Sequence, residues 1–371
     1  MNQKKPLTVL QIIPALDSGG VEKGTIEVAK ALVDSGHKAL VISAGGRLVG
    51  ELEKTGATHV NWDLGKKSLT TFLRYRKLRQ WLVESDVDVL HARSRMPAWV
   101  AWLAWRGMPK QNRPRFITTV HGLNSVSAYS KIMTYGEAVV AVSSTVKEYI
   151  TANYKGVKQD KIVVIPRGID PLEFPFAYQP AESWKLAWFE RFPNTKGKFI
   201  VTLPGRLTRL KGHHDLIRVI DGLKEQIPEI HAVIVGSEDP KRMSYAEGLY
   251  KEVKDRGLEE FITFTGYRSD MKDIYAISDM VLSLSSKPES FGRTVVEAIS
   301  LGRAVVGYDH GGVGETLSQL YPVGLVPLDD LAAVSERIVA LHDGSLLPPQ
   351  SAITQYSKKD MLNGELSVYV D

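Results

Sequence analysis

Short apolar runs alternate with helical patterns along nearly the whole of this chain, and that rhythm leaves few folds open to it. In the first half, residues 7–13, 39–43, 87–91, 116–120, 138–142 and 162–165 read as strands, with helices over 21–35, 69–85 and 144–152. In the second half, strands read at 199–204, 231–235, 262–265, 280–283 and 304–308, with helices over 212–226, 246–256, 271–278 and 294–301. Strands and helices alternating in this way build parallel sheets covered by helices on both faces. The rhythm breaks once. Residues 166–198 hold Pro166, Pro171, Pro175, Pro180 and Pro193 and no clear strand. A chain of 371 residues exceeds the usual size of one core, so the break is read as the junction of two α/β domains, 1–172 and 173–353. Ligands of open parallel sheets bind beyond the carboxyl ends of the strands, so the chemistry is expected just after strands.

Composition narrows the setting. There is no cysteine, which excludes disulfides and thiolate-held metals and fits a reducing compartment. Residues 1–6 carry two lysines ahead of an apolar run, the outline of a signal peptide. Gln11 and Pro14 interrupt that run and Asp17-Ser18-Gly19-Gly20 ends it without a small-residue cleavage pattern, so a buried first strand before a glycine turn is the better reading. No apolar run approaches the roughly 18 residues of a membrane span, and a cytoplasmic protein is expected. The charge is uneven. Residues 1–175 carry 25 Lys/Arg against 15 Asp/Glu, leaving 22 of the 47 basic and 27 of the 42 acidic residues for the remainder. A basic first half points to an anionic partner surface: lipid, phosphorylated glycan or nucleic acid.

The richest stretch runs Lys287-Pro288-Glu289-Ser290-Phe291-Gly292-Arg293-Thr294-Val295-Val296-Glu297-Ala298, directly after an expected strand. Gly292 permits close backbone approach, and Arg293-Thr294 opens a helix whose free N–H groups suit a diphosphate. Glu297, about one turn in, can accept from ribose hydroxyls. Glu289, in the loop before, can accept from the hydroxyls of a bound hexose, since each carboxylate oxygen takes a directed O–H bond. The plainer alternative is a capped helix with two solvated glutamates. Upstream, Gly205-Arg206-Leu207 and Lys211-Gly212 also follow a strand. Two cations there would neutralise charge developing on a leaving nucleoside diphosphate, whereas an isolated Arg and Lys would be a solvated surface pair.

The Glu-x7-Glu spacing, with Ser-Phe-Gly inside it, resembles the retaining GT-B glycosyltransferases of family 4, and Gly205-Arg206-Leu207 with Lys211-Gly212 strengthens the likeness. The resemblance covers residues from about 9 to about 340. It implies two Rossmann-like domains facing across a cleft. In the second domain it implies Arg206 and Lys211 on the donor diphosphate, Glu289 on the sugar, and Ser290, Phe291, Gly292, Arg293, Thr294 and Glu297 around the nucleotide. Gly236 matches a glycine after the next strand, Phe264-Thr265-Gly266 a segment near the base, and Gly311-Gly312-Val313-Gly314-Glu315 a later glycine-rich loop. In the first domain, Gly19-Gly20-Val21-Glu22 resembles the loop that approaches donor phosphate and acceptor, and His121 a histidine near the donor sugar. Residues 164–170 match the hinge, where many members have asparagine in place of Arg167. Residues from about 354 to 371 resemble a terminal helix that crosses back onto the first domain.

The implied catalytic set is Glu289, His121, Arg206 and Lys211. The implied co-substrate is a UDP-hexose or GDP-mannose, with no other cofactor and no metal, the helix start, Arg206 and Lys211 doing the cation's task. Asp86-Val87-Asp88 has the spelling of a metal motif from another glycosyltransferase fold, but it leads into a strand. His91, His121, His213, His214 and His310 show no metal-ligand spacing.

The acceptor side is read from basic residues of the first domain. Lys66, Lys67, Arg74, Arg76, Lys77 and Arg79 surround a helix with Leu69, Phe72, Leu73, Leu78 and Trp81, a pattern that fits either an anionic membrane surface or an ordinary surface helix. Arg93 and Arg95 follow a strand where acceptor could bind. The string His91-Ala92-Arg93-Ser94-Arg95 resembles family members that build lipopolysaccharide core, which implies a glycan or glycolipid acceptor and a peripheral position on the inner face of the cytoplasmic membrane. Trp99, Trp102 and Arg106 share a helical face, which suits packing against the sheet. Two other readings remain: a sugar-nucleotide epimerase of the same fold, and a non-catalytic binder drawn from the pI of about 9.0. No RNA-recognition signature supports a nucleic-acid partner.

Overall fold

The computed structural model describes residues 5–17, 19–239 and 243–370. The lysine at position 4 and Ser18, which entered the reading of the amino terminus, lie outside these. The chain divides into two compact units: residues up to Pro166 together with those from Lys358 onward, and Arg167–Ser357.

The first unit holds β1 (Thr8–Ile12), β2 (Lys38–Ser43), β3 (Thr58–Asn61), β4 (Val89–Ala92), β5 (Arg115–Val120), β6 (Ala138–Ala141) and β7 (Ile162–Val164). They form one parallel sheet in the order β3-β2-β1-β4-β5-β6-β7. Register explains the apolar runs. Leu10 pairs with Leu40 and Leu90, and Leu90 with Phe116, all on one face; Val9, Val41, Val89 and Ile117 point to the other. Both faces are buried under helices, so both are largely apolar, and the buried polar side chains among them, such as Gln11 and His91, are hydrogen-bonded. Each such side chain contributes about 1.5–3 kcal/mol by leaving water.

The second unit holds β8 (Phe199–Pro204), β9 (Ile230–Val235), β10 (Ile262–Gly266), β11 (Met280–Ser283), β12 (Ala304–Tyr308) and β13 (Leu325–Val326). Its parallel sheet has the order β10-β9-β8-β11-β12-β13. The expected pair of Rossmann-like parallel-sheet domains is therefore present. In each sheet the strand order reverses once, at β1/β4 and at β8/β11. A crevice opens beyond the carboxyl ends at such a reversal, because the connecting helices leave to opposite faces.

Several local expectations need correction. The single helix expected over 69–85 is two, Leu69–Leu73 and Tyr75–Glu84. The break falls at Arg74, whose guanidinium donates to the Asp63 carbonyl. Strands β3 and β13 escaped the sequence reading because both lie at sheet edges and are short; no residue of β3 is fully buried. The proline-rich segment contains a helix, Glu182–Arg191, anchored by buried Trp188 stacked on Trp184. Residues Gly311–Glu315, expected as a loop, form the first turn of the helix Gly311–Leu320. The tryptophans of the helix Arg95–Arg106 are only half-buried. Ala98, Val100, Ala101 and Ala104 are its fully buried residues, while Trp99 and Trp102 pack around Tyr135, with Phe72 at the edge of Trp99.

The helix Lys358–Val370 belongs to the first unit and buries Met361, Val368 and Tyr369. Among the described residues, no helix is long and apolar enough to cross a membrane.

Candidate active site

In the second unit, three loops converge beyond the carboxyl ends of β8, β11 and β12. The loop after β8 carries Gly205, Arg206, Lys211 and Gly212. It is tied to the loop after β11 by a Ser286 N–H to Leu210 carbonyl bond of 2.9 Å. Gly212 sits at φ +75, and a Cβ there would stand 2.1 Å from the Leu284 carbonyl oxygen, so only glycine closes this contact. The loop after β11 is pinned in turn by the Gly312 N–H, which donates to the Glu289 carbonyl at 2.7 Å. His310 Nε2 lies 2.6 Å from the Ser285 carbonyl.

Within this frame, Lys211 Nζ is 2.6 Å from Glu289 Oε1, with the two side chains 31% and 25% exposed. Ser285 Oγ donates to the same carboxylate oxygen. Arg206 is exposed and, among the described residues, makes no side-chain hydrogen bond or ion pair. The helix Arg293–Ser300 begins at Gly292 with no side-chain cap on its first turn. The aligned backbone N–H groups of its first turn make this end electropositive. Glu297 is 8% exposed; its Oε1 takes Arg293 Nε at 2.7 Å, and Tyr275 OH lies 3.5 Å from its Oε2. Burial, with the Glu297 charge beside it, pushes the Tyr275 hydroxyl well above the ordinary tyrosine range.

The remaining second-unit residues take different places. Phe291 is buried and packs edge-on against Tyr356, in the core rather than at an open surface. Ser290 and Thr294 are half-buried. Gly236 lies at the end of β9, where its N–H donates to the Gly266 carbonyl at 3.0 Å. Its α-carbon faces the loop after β8, and a Cβ there would fall 2.0 Å from the Gly205 carbonyl oxygen.

In the first unit, one concavity of about 330 Å³ opens at the β1/β4 reversal. It is lined from the loop after β1 by Pro14, Val21 and Glu22, from that after β4 by Arg93, Ser94 and Arg95, and from that after β5 by His121, Gly122 and Asn124. Three motifs far apart in sequence thus meet in one place. Gly19 caps the helix Gly20–Asp34 from the same loop.

The two arginines differ. Arg95 is half-buried, donates to Ser130 Oγ at 3.2 Å and stacks its guanidinium over Tyr129. Arg93 is 2% exposed: its NH1 donates to Gln11 Oε1 at 3.0 Å and its NH2 to Glu365 Oε1 at 3.3 Å. Beside it, His91 Nδ1 lies 2.7 Å from Tyr369 OH and its Nε2 2.6 Å from Thr119 Oγ1. The string expected to serve the acceptor therefore also anchors the terminal helix, and Arg93 enters the cavity wall with its charge already paired. Asp88 secures a strand: its Oδ2 accepts the Thr8 N–H at 2.7 Å.

Comparison with known proteins agrees with this fold. Residues 18–172 match the family described as Glycosyltransferase Family 4, and residues 185–360 match Glycosyl transferases group 1. A glycosyltransferase from Rickettsia africae ESF-5, solved by crystallography, is 32% identical and superposes over 99% of this chain and 98% of its own, with a TM-score of 0.87. The chain belongs to glycosyltransferase family 4. Mannosylfructose-phosphate synthase of Agrobacterium fabrum is 32% identical over 187 residues, 49% of this chain; the match spans only 40% of that relative's length. Anabaena Alr3699/HepE, solved in complex with UDP, shares the GT-B fold at 22% identity and TM-score 0.76, covering 97% of this chain and 94% of its own.

Within this family 4 chain, the sequence reading missed Ser285 and His310, which shape the Glu289 loop, and Tyr275, which lies against Glu297. Ser285 could have been suspected from its place four residues before Glu289. Tyr275 comes from the preceding helix, Met271–Ile277, and carries no local signal.

Proposed function

We propose that the chain transfers a hexose from a nucleotide sugar, UDP-hexose or GDP-mannose, to a glycan acceptor with retention of anomeric configuration. The observation that carries this reading is the gathering at one sheet reversal of Arg206, open to solvent, the Lys211–Glu289 pair, and a glycine-capped helix start. Cations and backbone N–H groups suit phosphate oxygens, and a carboxylate suits sugar hydroxyls. The bond from the anomeric carbon to the phosphate oxygen breaks. A bond from the acceptor oxygen to the same carbon forms on the same face, and the leaving phosphate takes the acceptor's proton. Arg206 and Lys211 stabilise the leaving diphosphate, Glu289 orients the hexose, and His121 stands on the sugar side. Glu297, held by Arg293, is set to receive the ribose hydroxyls.

The acceptor in this reading is a lipid-linked glycan such as lipopolysaccharide core, received in the first-unit concavity beside Arg95 and His121. Leu69 and Leu73 are 82% and 63% exposed next to exposed Lys66, Lys67, Arg76 and Lys77, a surface suited to peripheral contact with an anionic membrane.

The test is incubation of the purified protein with UDP- and GDP-sugars, following melting temperature and product. A ligand that binds the folded state raises the melting temperature. Stabilisation by one nucleotide sugar, with slow release of free hexose, is the expected result; HepE makes uridine the first base to try. Release of an epimerised sugar nucleotide, or no stabilisation by any donor, would overturn the reading.

A further inference from the structure

The first unit has a second concavity, of about 430 Å³. Lys131, Lys155, Lys158 and Lys161 line it, together with Thr134 and Tyr135. No carboxylate lines it, and among the described residues none of the four lysines forms an ion pair. Asp160 sits on the same turn as Lys158 and Lys161 but does not line the pocket. Lys155 and Lys158 are exposed, whereas Lys131 and Lys161 are half-buried.

With four lysines and no carboxylate in its wall, the hollow presents charge of one sign. A concave cluster of one sign focuses potential and concentrates counter-ions. Each lysine ammonium carries three donors and no acceptor, a chemistry suited to the oxygens of a phosphate.

The pocket's position adds a second argument. The 3-10 turn Ser130–Thr134 stands between the two concavities: Met133 lines the one containing His121, and Lys131 and Thr134 line the lysine pocket. An anion held by the lysines would sit one turn of backbone from the acceptor cavity.

We propose that the lysine pocket is a phosphate-recognition site, separate from the donor diphosphate site of the second unit. Its ligand is a phosphate group, carried either by a soluble molecule or by a lipid headgroup.

The experiment uses the full chain and two probes, inorganic pyrophosphate by calorimetry, and phosphatidylcholine vesicles with and without phosphatidylglycerol by co-sedimentation. Wild type is compared with Lys158→Glu/Lys161→Glu and with Arg206→Ala/Lys211→Ala. The expected result is salt-sensitive binding that falls at least about tenfold in the first double variant and has a component surviving in the second, since exposed charges are strongly screened. Survival with pyrophosphate assigns a soluble phosphate; survival with phosphatidylglycerol vesicles alone assigns a headgroup. If both probes bind the Lys158→Glu/Lys161→Glu variant as they bind wild type, the proposal fails, and any vesicle binding then belongs to the surface around Leu69. Should that variant misfold, Lys155→Ala/Lys158→Ala, at two exposed positions, replaces it under the same criteria.

Discussion

Lys211 Nζ stands 2.6 Å from Glu289 Oε1, so the cation proposed for the diphosphate and the carboxylate proposed for the sugar hold each other in place. Ser285 fixes the same carboxylate from the other side. The pair is therefore preorganised, which is what electrostatic stabilisation of a leaving group requires. Lys211→Ala and Arg206→Ala are each expected to lower kcat by about 10²–10³-fold, the range for loss of one oriented donor. Lys211→Ala should also raise the KM for the donor, because Glu289 loses its partner, whereas Arg206→Ala leaves that pair intact. Steady-state kinetics on the preferred nucleotide sugar checks both, and near-normal turnover of Arg206→Ala would contradict the assignment.

The close approach of Gly236 to the loop after β8 makes a second prediction. A Cβ at this position falls 2.0 Å from the Gly205 carbonyl oxygen, a backbone atom that cannot swing aside. Gly236→Ala is expected to displace the loop bearing Arg206 and to cost about 1–3 kcal/mol, the usual range for overpacking. Urea denaturation should show the loss of stability, and the donor-induced rise in melting temperature should shrink with it. Full stabilisation by donor in this variant would separate Gly236 from the donor site.

Arg93 and Glu365 form an ion pair whose side chains are 0% and 4% exposed. Removing one partner of such a pair leaves a buried charge without compensation and costs about 3–5 kcal/mol. Glu365→Ala should therefore destabilise the protein by about that amount in a denaturant melt. The double variant Arg93→Met/Glu365→Met should lose less, since no lone charge remains. If the single and double variants are equally stable, the pair carries no such role and the terminal helix is held by its apolar face and the His91–Tyr369 hydrogen bond.

Acid should weaken the second unit through two histidines. His213 and His231 are both fully buried and both pushed down to about 4, chiefly because burial disfavours the charged ring. His231 keeps one contact, Nε2 to Thr263 Oγ1 at 2.8 Å, while its Nδ1 is buried without a partner. The unfolded chain takes up protons near pH 6.5, before the folded chain does. Stability from the neutral rings is complete above that pH and is lost as pH falls from about 6.5 to about 4, by on the order of 3 kcal/mol per histidine at the acid limit. Denaturant midpoints measured from pH 7 to 4.5 should fall accordingly, and His231→Gln should flatten the slope. An unchanged slope in that variant would mean that His231 does not titrate in this window.

What the sequence alone determined is local. Short apolar runs such as those of β8 and β9, alternating with helical patterns, suit parallel sheets buried on both faces, so the two Rossmann-like domains were legible from spacing. The stretch from Glu289 to Glu297 was legible because glycine, a helix start and carboxylates sit within one loop and one turn. The tertiary structure decided which charges remain open. Arg93 and Arg95 look equivalent two residues apart, yet Glu365, 272 residues beyond Arg93, neutralises the first and leaves the second on Ser130 and Tyr129. Likewise Lys211 and Arg206 read as twin cations, but among the described residues only Lys211 meets a carboxylate. Partnership across such sequence distances depends on which loops the strand order brings together, and no local pattern of residues encodes that order.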